Sequence, residues 1–201
     1  MRLLHRLLGH ASIHWLMLSP RTGCAGRALQ MSEGQRQAVQ TAATAPVCVL
    51  TGGPGCGKTT TTKYIVELWR SMGKRLALCA PTGRASQRLT ETSGMHAATI
   101  HRLLKWVPSN STKHSSKSTD PEFDAGSGGH FKFNRQNPLK LAEEGVDEAE
   151  WKEVDAVLVD EASMLDLPLA AALLEALPPK CQLVFVGRCF PLVQASTFTR
   201  P

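Results

Sequence analysis

The sequence predicts an α/β protein in which a mainly parallel sheet lies between helices, a three-layer α/β/α arrangement. Three observations carry that prediction. Apolar runs of strand length recur at 47–51, 75–81, 154–159 and 181–187, with helical patterns between them. Gly52-Gly53-Pro54-Gly55-Cys56-Gly57-Lys58-Thr59 directly follows the first run. Two adjacent carboxylates, Asp160 and Glu161, directly follow the third. Buried parallel strands read as near-continuous apolar runs, and the loops at their carboxyl ends are where such sheets hold ligands.

The chain has 201 residues, of which 42% are hydrophobic, enough for one α/β domain with a proper core or for a domain with tails. A net charge of +6 permits a polyanionic partner without establishing one. Much of that excess lies outside the core pattern, because residues 1–32 carry Arg2, Arg6, Arg21 and Arg27 and no acid. No apolar run reaches the ~18 residues of a spanning helix, so no membrane segment is predicted. The cysteines at 24, 48, 56, 79, 181 and 189 show neither a C-x-x-C pair nor zinc spacing, which favours a reducing compartment. Cys48 and Cys79 fall inside strand-like runs as small hydrophobes, whereas Cys56 lies in the glycine-rich loop as a candidate reactive thiol.

In chain order, residues 1–30 are arginine-bearing, acid-free and broken by Pro20, Gly23 and Gly26. They read as an organellar transit peptide or as an untargeted, disordered extension, and composition leaves both open. The first implies a mitochondrion or chloroplast, the second the nucleus or cytoplasm. The folded domain is placed at 31–187. Ser32 and Gln35 have capping-box spacing at a helix start. Gln35 equally suits an amide that contacts adenine just ahead of the loop. Ile65, Val66, Leu68, Trp69 and Met72 recur at helical spacing, and Gly73 ends that helix. The strand at 75–81 then completes a β-loop-α-β unit. Thr82 to Leu89 leads from that strand into a polar helix, and Thr99 to Leu104 forms a short helical turn. Residues 107–130, rich in Ser, Thr, Gly and Pro, read as a disordered surface insertion. The acid-rich stretch 143–155 reads as a solvated helical face. An apolar packing helix at 167–177 is stopped by Pro178-Pro179, and residues 188–201 form an irregular tail without periodicity.

The loop matches the G-x-x-x-x-G-K-[ST] phosphate-binding pattern. Its glycines let successive backbone N–H groups turn inward around phosphate oxygens, so Gly53, Pro54, Gly55, Cys56, Gly57, Lys58, Thr59 and Thr60 form the candidate nucleotide cradle. Lys58 brings a point charge to the β- and γ-phosphates, Thr59 a hydroxyl for Mg²⁺, and the following helix its positive end. ATP with Mg²⁺ is the implied cofactor pair. A strand-end Asp-Glu pair is by itself more often a cap or turn. About 100 residues after such a loop, Asp160 instead suits Mg²⁺ and Glu161 suits a role polarising the attacking water. Lys58 and Glu161 are the candidate catalytic residues.

Taken together, QRQAV, LTGGPGCGKTTT, APTGRASQRL, TIHRLL, KFNRQNPL and VLVDEASMLDLPLAAALLEALP resemble the superfamily 1 DNA helicases of the RecD/TraA (YrrC-like) type, over about Met31 to Gly187. The resemblance implies the N-terminal RecA-like lobe of an ATP-dependent helicase that moves 5′→3′ on single-stranded DNA, in a repair-type role. It implies that Gln35 reads adenine and that Thr82, Gly83, Arg84 and His101 lie along the DNA. On residue chemistry alone, Arg84 and His101 read instead as a surface arginine and a satisfied helix histidine. The family continues its last strand with a motif like GDPDQLPSVG, where this chain has Gly187-Arg188-Cys189-Phe190-Pro191-Leu192-Val193-Gln194. The motif's acid and glutamine have no counterpart in that stretch, and the expectation is that the family's second RecA-like lobe is not part of this sequence. The expectation is a lobe that binds nucleotide, hydrolyses little and unwinds nothing alone, with a second lobe coming from a longer product or a partner. Two other readings stand beside this one. The first is a non-catalytic nucleotide- or DNA-binding regulator, and the second a small kinase or switch ATPase, against which APTGRA and TIHRLL argue.

Overall fold

The computed structural model describes residues 31–108, 129–141, 147 and 150–188. The extension at 1–30, the body of the insertion, residues 142–146 and 148–149 in and beside the acid-rich stretch, and the tail beyond Arg188 lie outside the described residues. Helix α1 spans Glu33–Thr44, and strand β1 follows at Val47–Thr51. Helix α2 (Lys58–Ser71) leads to β2 (Leu76–Ala80), and α3 (Gly83–Ser93) leads to β3 (Ala97–Thr99). The short α4 (Ile100–Leu103) precedes an antiparallel ribbon of β4 (Trp106–Pro108) and β5 (Gly129–Phe131). A second ribbon pairs β6 (Lys140–Leu141) with β7 (Lys152–Glu153). Strand β8 (Ala156–Val159), helix α5 (Leu167–Ala176) and β9 (Gln182–Gly187) complete the described fold.

Five strands form one sheet in the order β1-β9-β8-β2-β3, with every neighbouring pair parallel. Side chains alternate across it, and each face is covered by its own layer. Leu76 and Leu78, Ala156 and Leu158, and Val184 and Val186 face a core closed by Val39 of α1, Ile65 and Trp69 of α2 and Leu89 of α3. Ala77 and Cys79, Val157 and Val159, and Leu183 face the opposite core, closed by Ile100, Leu104, Phe133, Leu139, Leu169 and Leu173. The three-layer arrangement is therefore present. On the second face, Val47 and Val49 of the edge strand β1 remain 54% and 63% exposed.

Helix ends follow the local sequence. Ser32 and Gln35 form the complete capping box, and Thr82 and Asp166 cap α3 and α5 by accepting the amides of Ala85 and Leu169. Gly73 sits just past α2 at φ +71°. Its amide bonds the Arg70 carbonyl and that of Lys74 bonds Trp69, a full Schellman closure.

Two expectations are corrected. The insertion expected over 107–130 is narrower, because its ends extend the ribbon: Val107 pairs with His130 and Pro108 with Gly129. Trp106 and Phe131 stack edge-to-face at 4.7 Å across that ribbon. Apolar cross-strand packing thus reaches into what composition marked as loop. The described part of 143–155 is not a solvated helical face. Lys152–Glu153 is strand, Val154 is buried, and Asp155 pairs with Arg75. The KFNRQNPL segment forms a turn held by Asn134 and Asn137. Its Leu139 is buried and donates its amide to the Ala176 carbonyl at 2.7 Å, tying the turn to the end of α5.

Candidate functional site

The sheet order explains why residues distant in sequence meet. Strand β1 ends in the glycine-rich loop, β8 ends in the two carboxylates, and β9 runs between them. All are parallel, so their carboxyl ends share one rim. Gly55 and Gly57 take φ of +77° and +78°, the left-handed region that an L side chain enters only at a cost. This curls the loop back toward the start of α2. Lys58 Nζ donates to the carbonyls of Gly52 and Gly53, each at 2.7 Å. Cys56 Sγ donates to the Gly53 carbonyl at 2.9 Å and lies over Gly52, where an added Cβ would come within 2.3 Å of the sulfur. Thr59 and Thr60 are exposed on the first turn of α2.

Gln35 forms the capping box and also reaches the glycine-rich loop. Its Oε1 accepts the Ser32 amide at 3.0 Å, which closes the capping box. Its Nε2 lies against Gly57, close enough that a Cβ there would be 2.4 Å away. One side chain thereby joins the start of α1 to the phosphate loop.

Asp160 accepts the Glu161 amide at 2.8 Å and donates its own amide to the Cys79 carbonyl at 2.9 Å. Burial pushes the Asp160 carboxyl above the usual carboxylate range, and the Glu161 charge adds to this; Lys58 and Arg88 oppose it. Glu161 is held at φ +50°, which is unfavourable for a non-glycine residue and turns the chain sharply into the 3₁₀ turn at Ala162–Met164. Helix-type patterning does not reveal Arg88. The available signal is its position four residues after Arg84 on α3, one turn further along the same helix face.

Thr82 and Gly83 follow β2, the strand beside β8, so the start of α3 adjoins the carboxylates. No heavy atom lies within 4 Å of a Cβ placed on Gly83, and Arg84 is exposed. His101 stands further along the rim, after the edge strand β3. It is no isolated surface residue. Its ring lies 5.9 Å from Phe131 and 6.4 Å from Trp106, and burial pulls its pKa below the usual histidine value while Asp166 opposes that shift. Those two aromatic neighbours, brought in by the ribbon, are not foreseeable from the TIHRLL pattern.

Among the described residues, no group of three or more His, Cys, Asp or Glu side chains could hold a metal alone. One carboxylate and one hydroxyl suit a small hard cation that keeps water and phosphate oxygens in its shell. Nor is any described helix long and apolar enough to cross a membrane.

A parallel sheet whose first strand opens into this loop, with carboxylates two strands away at the same rim, defines a phosphate-loop nucleotide-binding domain. The family model described as AAA domain matches residues 35–189, and the chain belongs to that family. It is similar to the ATP-dependent RecD2 DNA helicase of Deinococcus radiodurans, 35% identical over 157 residues, 78% of this chain and 17% of the relative. It is likewise similar to the RecBCD enzyme subunit RecD of Mycolicibacterium smegmatis, 35% identical over 77% of this chain and 27% of that one. The ATP-dependent DNA helicase dda of Enterobacteria phage T4 is 32% identical over 69% of this chain and 26% of its own length. The chain thus spans between about a sixth and about a quarter of the curated relatives it matches.

Proposed function

We propose that this chain is the ATP-binding and hydrolysing lobe of a RecD-type DNA helicase. The observation that carries the reading is the shared rim: phosphate loop, Lys58, Asp160 and Glu161 converge at the carboxyl ends of β1 and β8. An entering triphosphate would take over the Lys58 ammonium from the Gly52 and Gly53 carbonyls. The inward amides of the loop would then hold the phosphate oxygens. Thr59 and Asp160 would hold Mg²⁺, whose chemistry is to neutralise developing phosphate charge. Glu161 would orient the attacking water, and Gln35 the adenine.

Single-stranded DNA would run along the rim over Thr82, Gly83 and Arg84 toward His101, with 5′→3′ movement carried over from the resemblance. A longer product or a partner would bring the second RecA-like lobe. The arginines of such a lobe accelerate phosphoryl transfer by about 10³–10⁵, so turnover by this chain alone should be slow. A second reading, a regulator that binds nucleotide or DNA without turnover, draws on the departure from the GDPDQLPSVG motif after Gly187.

The deciding experiment measures ATP binding and turnover by the 201-residue chain, with and without single-stranded DNA, beside Lys58→Ala. Nucleotide binding that Lys58→Ala abolishes, and DNA affinity that changes with nucleotide, support the motor lobe. Nucleotide binding with no link to DNA moves the reading to the regulator. No nucleotide binding at all overturns both.

A further inference from the structure

The two faces of the sheet differ in how completely they are covered. Among the described residues the large apolar side chains left exposed are Val47 and Val49 of β1, Met164 (62%), Leu167 (84%) and Leu174 (52%). All of them belong to the side closed by α5, and the side closed by α1, α2 and α3 has none. Helix α5 explains most of this. Its sequence, LPLAAALLEA, holds one charged residue, and a helix that is apolar all round calls for cover on both sides. Leu169, Leu173 and Ala176 turn into the second core. Leu167, Ala171 and Leu174 form the opposite line at i, i+4 and i+7, Met164 extends it beyond the helix start, and all four are exposed. The charge around this line is of one sign. From Asp160 to Pro179 the chain holds Asp160, Glu161, Asp166 and Glu175 and no lysine, arginine or histidine, within a net charge of +6. Asp166 and Glu175 are exposed toward the two ends of the line, and neither takes part in a described ion pair.

We infer that the outward line of α5, formed by Met164, Leu167, Ala171 and Leu174, is a docking surface for a cationic amphipathic helix of a partner protein. The inference stands apart from the nucleotide site and from the proposed path of DNA. An exposed apolar line at helical spacing marks a contact site, and a second helix fits it by laying its own apolar stripe alongside. Lysine or arginine beside that stripe would meet Asp166 and Glu175. The same acids argue against other occupants. Nucleic acid and an anionic membrane surface carry the same sign of charge as the line. In a two-fold contact between copies of this chain, Asp166 of one copy would face Glu175 of the other.

The test is the fluorescence anisotropy of a labelled helical peptide of about 15 residues, titrated with the full chain. The peptide carries leucines at i, i+3, i+4 and i+7 with lysines beside them, and a second peptide has glutamates in place of the lysines. The lysine peptide should bind at least about tenfold more tightly than the glutamate peptide. Leu167→Ser and Leu174→Ser change exposed side chains outside the core, so the fold should survive both. Each should weaken the lysine peptide at least about tenfold, the worth of one leucine buried on binding. Glu175→Lys should weaken the lysine peptide and strengthen the glutamate peptide, with ATP binding unchanged in all three variants. Equal affinity for the two peptides overturns the inference, as does no binding of either. Binding that both serine variants leave intact also overturns it, since the peptide then sits elsewhere. Self-association of the chain that Leu174→Ser abolishes overturns it as well and gives the surface to a second copy.

Discussion

Strand β8 begins just after one aspartate and ends just before another, and its two ends illustrate the two ends of the sheet. At the amino end, Asp155 accepts Arg75 three times: Nε and the backbone amide reach Oδ2 at 2.9 Å each, and a terminal guanidinium nitrogen reaches Oδ1 at 2.8 Å. These bonds hold its carboxyl below the usual carboxylate range against the opposing effect of burial. At the carboxyl end, Asp160 has the amide of its own neighbour and cations that oppose its burial incompletely, so its carboxyl is held high. The positive-φ residues Gly55, Gly57 and Glu161 also lie at the carboxyl end. Charge is satisfied where the sheet only needs holding together. Where a ligand is to be held, charge and backbone strain are left uncompensated.

That contrast can be broken at its most reactive point. Glu161→Gln should lower ATP turnover by about 10²–10⁴, the usual worth of a positioned acid or base, with nucleotide affinity retained. Single-turnover kinetics beside equilibrium binding would show the split, and equal loss of both would remove Glu161 from the chemistry. Gly57→Ala comes next. At φ +78° and against the Gln35 amide it should cost about 1–2 kcal/mol from the left-handed backbone alone and abolish nucleotide binding. Thermal melts with and without ATP would detect it, and an unchanged ATP-induced shift in Tm would contradict the geometry.

The tied end should respond more mildly. Arg75 and Asp155 side chains are 40% and 38% exposed, so solvent screens the pair. Asp155→Ala should cost about 1 kcal/mol, a Tm drop of roughly 2–4 °C for a chain this size, with turnover unaffected. The smallest effect is in the pH dependence. Because folding lowers the pKa of Asp155, its stabilisation is complete well above the ordinary value of 3.8 and is lost as pH falls through the lower folded value. Asp160 has the opposite sign. Its raised pKa favours the fold at pH below 3.8, and that advantage disappears as pH rises through the higher folded value. Denaturant titrations should therefore show Asp155→Asn losing stability at neutral pH and Asp160→Asn gaining it, with both differences shrinking in acid. Two differences of the same sign would end the comparison.

The loop, the caps and the carboxylate pair are legible because each is local. A glycine spacing, a Ser-x-x-Gln or an apolar run followed by Asp-Glu specifies its own geometry within a few residues. The ribbons are less legible. Trp106 and Phe131 are 25 positions apart and Lys140 and Glu153 are 13 apart, so no local period announces either pairing. The helical reading of the acid-rich stretch failed for the same reason, since Val154 is buried by Leu139 and its neighbours in the second core. Gln35 shows a third case, in which the capping box is legible from Ser-x-x-Gln while the approach of the same side chain to Gly57 comes only from packing.

The amino-acid sequence by itself determined the class of the fold, the helix ends, the phosphate cradle and the identity of its acids, because propensity, periodicity and loop chemistry act between near neighbours. The tertiary structure alone decided which strand separates β1 from β8. It also decided how deeply Asp160 is buried, which cations reach it and which rings meet His101. These depend on the order of strands in the sheet and the register between them, which arise from contacts between segments far apart in the chain.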